Sequence, residues 1–134
     1  MFLYLLNEKE GTAFLELSYQ AMKINGELKD SELAEFDNYR AELDLPNYEV
    51  KNISYKDCLE HFKVSTIQVK RSIIIELCGI LYAYKEIDNN EMTWLKKLAN
   101  DLHVEAKETD RLIRWSKDFS DFIEIGLMYI NAQS

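Results

Sequence analysis

Proline occurs once in this chain and glycine four times among 134 residues. A strand-rich fold that reverses direction about every ten residues needs more turn-formers than that, so composition favours helices. Cysteine is scarce as well. Cys58 and Cys78 are two unpatterned thiols and do not make the disulfide framework of a small secreted domain. Basic residues are in deficit, 16 against 24 acidic ones, which leaves a formal charge of −8. A surface of that sign repels phosphate backbones and anionic membrane surfaces, which argues against nucleic acid as a partner and leaves cations and basic protein patches open. Long apolar runs are missing too: Ile73-Ile74-Ile75 is closed by Glu76, far short of the roughly 18 residues of a spanning helix, so no membrane insertion is expected. The apolar opening Met1 to Leu6 lacks a basic n-region and a small-residue cleavage site, and Asn7-Glu8-Lys9-Glu10 ends it. A cytoplasmic protein is the expectation.

What the chain does have is core-forming material, 47% apolar and 12% aromatic residues, in a length that suits one domain over 1–134. Its apolar residues keep helical spacing. Phe14, Leu17, Ala21 and Met22 recur at offsets of three and four, as do Leu33, Phe36, Tyr39 with Arg40, and Leu43. Ile73, Ile74, Leu77, Ile80, Leu81 and Tyr84 mark a helix apolar over most of its circumference, which therefore needs neighbours on several sides and belongs at the centre. Ser65-Thr66-Ile67-Gln68 reads as a capping box, and Ser54 with Asp57 and Asp88 with Glu91 are relatives of it. Pro46 ends the segment before it. These signals predict helices near 8–24, 30–44, 54–63, 65–85, 89–102, 105–117 and 119–132, with the longest loop through Leu45 to Glu49.

Part of the sequence repeats. Sliding residues 24–45 onto 83–104 superposes Leu28 on Ile87, Glu32 on Glu91, Leu33 on Met92, Phe36 on Leu95, Tyr39 on Leu98, Leu43 on Leu102 and Leu45 on Val104. Two helix pairs, in copies near 14–45 and 73–104, would then pack antiparallel and bury each other's aliphatic plugs, giving an all-α domain with rough internal two-fold symmetry.

The turn of the first copy offers Asn25, Gly26, Leu28 and Glu32 at relative positions 5, 6, 8 and 12 of a calcium-binding EF-hand loop. Positions 1 and 3 fall on Ala21 and Lys23, however, and the second copy puts Ile80, Tyr82, Tyr84 and Lys85 in that first half, so the oxygen ligands such a loop needs are missing. A zinc site from Cys58-x-x-His61 with Cys78 and His103 is disfavoured by the 25-residue spacing of its second pair and by the buried-helix context of Cys78.

The segments Phe14-Leu15-Glu16-Leu17, Asn25-Gly26-Glu27-Leu28 with Glu32, and Glu86-Ile87-Asp88-Asn89-Asn90-Glu91 give a helix that ends in an acidic turn, repeated about sixty residues later in an acidic helical chain. In this the chain resembles the TerB-like family, named for tellurite-resistance proteins. The resemblance implies a compact bundle of about seven helices, an acidic face for a divalent cation, and a role in stress-response or membrane-associated assemblies rather than turnover. The chain departs from the family's turn at Asn25 and Tyr84, which replace an aspartate, and at Lys85, which replaces a glycine. Glu27, Glu32, Glu86, Asp88 and Glu91 persist, and would gather around Ca²⁺ or Mg²⁺ if the two turns meet. Taken singly, each is a helix-start acid that satisfies free amides and the helix dipole.

Catalytic signatures are absent: no Gly-x-Ser-x-Gly, no phosphate-binding Gly-Lys-Ser or Gly-Lys-Thr, no His-Glu-x-x-His, and Cys58 and Asn100 three residues before His61 and His103 where a di-iron bundle needs glutamate. A non-enzymatic, partner-binding protein is the expectation. Trp94 and Trp115, set among charged neighbours, are the candidate protein contacts. Phe2, Leu3, Tyr4, Leu5 and Leu6 either pack back onto the bundle or, left free, favour a homodimer or an arm that grips a partner.

Overall fold

The computed structural model describes residues 1–82 and 86–133. Among these, a short 3₁₀ turn (Leu3–Leu5) precedes six α-helices, and there is no strand. The helices are α1 (Glu8–Met22), α2 (Asp30–Glu42), α3 (Tyr55–Glu60), α4 (Ile67–Leu81), α5 (Asn89–Asp101) and α6 (Ala106–Asn131). The domain is thus all-helical, as composition and periodicity predict, with six helices rather than seven. The two helices expected at 105–117 and 119–132 are one continuous α6. The predicted gap at residue 118 holds neither proline nor glycine, and Lys117 pairs with Asp121 one turn on at 3.5 Å, across that gap.

α4 is the centre. It packs against α1, α2, α5, α6 and the N-terminal 3₁₀ turn, and Ile73, Ile74, Leu77, Ile80 and Leu81 are fully buried. Tyr84, predicted to continue that stripe, and the last residues of the predicted 65–85 helix lie outside the described residues. Around α4, Phe14, Leu15 and Leu17 of α1, Phe36 and Tyr39 of α2, and Leu95 and Leu98 of α5 complete the core. Leu3 is buried against it, so the N-terminal segment lies on the body, with Tyr4 and Leu5 outward.

The ends of the helices have identifiable chemistry. Asn7 and Asp88 form full capping boxes with Glu10 and Glu91, and Ser54 accepts from the Asp57 amide. The cap of α4 is Thr66, not Ser65: its hydroxyl accepts from the Val69 amide, while the Ser65 hydroxyl donates to Glu10 of α1. The helices α1 and α4 are both 15 residues long and α2 and α5 both 13, each of the second pair starting 59 residues after its counterpart. Their exits agree too. Asp44 and His103 take left-handed φ values of 59° and 62°. The following Leu45 and Val104 amides donate back to Arg40 O at 2.8 Å and Ala99 O at 2.9 Å, the hydrogen bonds of a Schellman motif. Each motif brings an aliphatic residue, Leu45 or Val104, against the core.

Candidate functional site

The two acidic turns meet. The Asn25 side-chain amide, after α1, donates to Asp88 Oδ2 at the start of α5. Asp88 Oδ1 accepts from the Glu91 amide at 2.8 Å, and Glu91 Oε1 accepts from the Asp88 amide at 3.1 Å. Glu32 and Glu91 hold the same place, third residue of α2 and of α5, and are both buried. Glu27 is exposed on its turn. Glu86 pairs with Lys117 of α6, whose Nζ approaches it at 3.1 Å. Asp88 and Glu91 are joined by the hydrogen bonds of the capping box. Among the described residues no three of His, Cys, Asp or Glu are grouped so as to hold a metal ion. Tyr84 and Lys85, the second-copy departures from the family turn, lie outside the described residues.

The predicted tryptophans differ in setting. Trp94 is half-buried, its ring edge-on to Tyr55 at 6.4 Å, and belongs to the margin of the core. Trp115 is 43% exposed, stacks on Phe119 at 5.3 Å and meets Phe2 at 6.0 Å. It opens onto a groove of about 780 Å³. The floor is α4, with Ile75, Glu76, Gly79 and Tyr82. One wall is α2, with Glu35, Asn38, Tyr39 and Glu42. The other is α6, whose Trp115, Phe119, Ile123 and Leu127 recur every four residues and so share one face. Gly79 is an exposed glycine within α4, and a β-carbon there would meet only the Tyr39 hydroxyl, at 3.4 Å. The missing side chain deepens the floor.

The groove is apolar along its middle and acidic at its edges. Glu35, Glu42 and Glu76 stand on the α2 and α4 side, Glu86, Asp121 and Glu124 on the α6 side, and among the described residues no lysine or arginine lines it. Glu76 accepts from the Phe2 amide at 2.9 Å, and the Met1 amino group pairs with Glu42 and, at 3.3 Å, with Glu76. The Tyr39 hydroxyl donates to the Glu76 carbonyl at 2.5 Å, which fixes the α2 wall to the floor. Burial, reinforced by the Glu76 charge, pushes the Glu35 carboxyl above the usual carboxylate range.

Beyond the groove, α6 carries Phe122, Met128, Tyr129 and Ile130 at 66–79% exposure. These residues and the groove wall escape a reading that ends one helix at 117 and starts another at 119, because the four-residue stripe from Trp115 to Leu127 is cut at its second member. A second, smaller pocket of about 510 Å³ lies between α3 and α5, edged by Lys56, Lys63, Lys70 and Lys97. Lys97 is already engaged, at 2.8 Å from Asp101 and 4.3 Å above the Tyr55 ring. No helix among the described residues is long and apolar enough to cross a membrane. Compared with protein-family models, with curated proteins and with solved structures, the chain matches none.

Proposed function

We propose that this chain is a non-catalytic, TerB-like helical domain that works by holding a protein partner, in a stress-response setting of the tellurite-resistance kind. The observation that carries the binding role is the groove beside Trp115. Large apolar side chains on a regular helical face stand open to solvent there, and contiguous exposed apolar surface of this sort marks an interaction site. Support for the kinship is the equal lengths, the offset of 59 residues and the matching exits of α1–α2 and α4–α5, which we read as one helix pair present twice. A photo-crosslinking residue placed at Phe122, next to the groove wall, should trap one specific protein in cells of the source organism. Trp115→Ala should abolish the adduct and Trp94→Ala should retain it. Adducts unchanged by Trp115→Ala would remove the groove from the binding role.

A second reading, a divalent cation such as Ca²⁺ or Mg²⁺ at the paired turns, is favoured by the Asn25–Asp88 contact that brings them together. A ligand that binds only the folded state raises the melting temperature by mass action. Millimolar Ca²⁺ or Mg²⁺ should then raise it, and Asp88→Asn should cancel the rise. An unchanged melting curve discards this reading and leaves the first intact.

A further inference from the structure

The groove specifies its occupant. We propose that it receives a basic amphipathic helix from a partner protein, seated with its apolar face on α4 and α6 and with lysine or arginine along both edges. This rests on the docking reading above and adds the partner's chemistry to it.

Three observations argue for that occupant. The first is shape. The open face of α6 from Trp115 to Leu127 is about 18 Å long at 1.5 Å per residue, and α2 stands opposite it across the α4 floor. A helix of about 12 residues laid on that floor would offer side chains at every third and fourth position, the helix-in-groove mode of recognition. Gly79 leaves room for one large apolar anchor at mid-floor.

The second is charge. Glu35 and Glu42 on one edge and Asp121 and Glu124 on the other flank the apolar strip. Within the chain the Met1 amino group pairs with Glu42 and Lys117 pairs with Asp121, and the acids that line the groove still outnumber these two cations. Cations laid along both edges therefore meet a complementary potential, which sets both partner choice and association rate.

The third is what the charges disfavour. The exposed apolar stripe of α6 in a second copy of this chain is the alternative occupant. Docked from residue 117 onward, it would bring Asp118, Asp121 and Glu124 against the same acidic edges, with Lys117 as its one cation between Lys117 and Asn131. Like charges placed directly opposite one another count against self-docking.

The test uses the full chain and three stapled helical peptides of about 12 residues. All share one leucine face; their edges carry lysine, glutamine or glutamate. Fluorescence anisotropy should show the lysine peptide binding about tenfold or more tighter than the glutamine one, with the glutamate peptide weakest and the spread shrinking as salt is added. The double variant Glu35→Gln with Glu124→Gln should lower affinity for the lysine peptide and leave that for the glutamine peptide unchanged. Gly79→Leu, which fills the floor without touching a charge, should weaken both, provided circular dichroism shows it folded. Equal binding of all three peptides would overturn the basic-helix inference while keeping the groove as a docking site. So would a failure of all three together with a dimer in sedimentation that Ile123→Glu dissolves, because the occupant would then be a second copy. Failure of all three by a chain that stays monomeric would remove the docking reading as well.

Discussion

At Glu16 a carboxylate with 1% of its surface exposed accepts three hydrogen bonds from a segment more than thirty residues away. The Tyr48 hydroxyl donates to Oε2 at 2.5 Å, the Lys51 amide to Oε2 at 2.8 Å and the Ile53 amide to Oε1 at 2.9 Å. Glu16 thus fastens the longest loop against α1 at three points, and Gln20, one turn further on, adds a bond to the Ile53 carbonyl at 2.8 Å. Glu16→Ala would remove the acceptor of two part-buried backbone amides and of the Tyr48 hydroxyl, and should lower unfolding free energy by about 2 kcal/mol in a urea titration with unchanged slope. Nothing local announces this role. Glu16 sits in an apolar stretch of α1, and its partners become neighbours only once the chain has folded. The exposure of Trp115 was legible for the opposite reason, since a large aromatic between charged neighbours is visible within a few residues.

Helix starts were easier to read than helix ends. Predicted starts at residues 8, 30 and 89 coincide with those of α1, α2 and α5; Asn7 and Asp88 cap the first and the last, while α2 starts after Lys29 with no side-chain cap. Predicted ends at 44 and 102 overrun the observed Glu42 and Asp101, since Leu43 and Leu102 keep apolar spacing while the backbone is already leaving the helix for a left-handed residue. The division of α6 at residue 118 cost more, because it hid the face that lines the groove. A continuous α6 makes Gly126 an interior helix residue, where glycine is about 1 kcal/mol less favourable than alanine. A β-carbon there meets nothing within 4 Å. Gly126→Ala should therefore raise the melting temperature and strengthen the helical circular dichroism signal, an effect that would be missing if the chain frayed before residue 126.

At the scale of the whole molecule, the fold holds protons that the unfolded chain would release in alkali. Burial pushes the Cys78 thiol, and burial with the Glu16 charge the Cys58 thiol, from 9.0 up to about 12. Burial first, then the hydrogen bonds to Glu16 and Asp101, raises the Tyr48 and Tyr55 hydroxyls as well. A group whose folded value is raised contributes its full stability below the unfolded value and loses it as pH climbs toward the folded one. Unfolding free energy should accordingly fall from about pH 9 upward, by at most about 1.4 kcal/mol per pH unit for each thiol. Urea midpoints at rising pH would measure this, and Cys78→Ala should make the decline shallower. A midpoint that does not move between pH 8 and 11 would contradict the burial of these groups.

The uncovered strip along the second half of α6 also governs how separate molecules treat each other. With eight net negative charges at neutrality, each molecule carries a repulsive cloud that keeps neighbouring strips apart, so solubility depends on ionised carboxylates as much as on the folded core. Acidification toward the isoelectric point of about 4.8 protonates enough carboxylates to cancel that net charge and removes the cloud. Flocculation should then begin from an intact fold, along the same strip that at neutral pH stays available to a cationic helix.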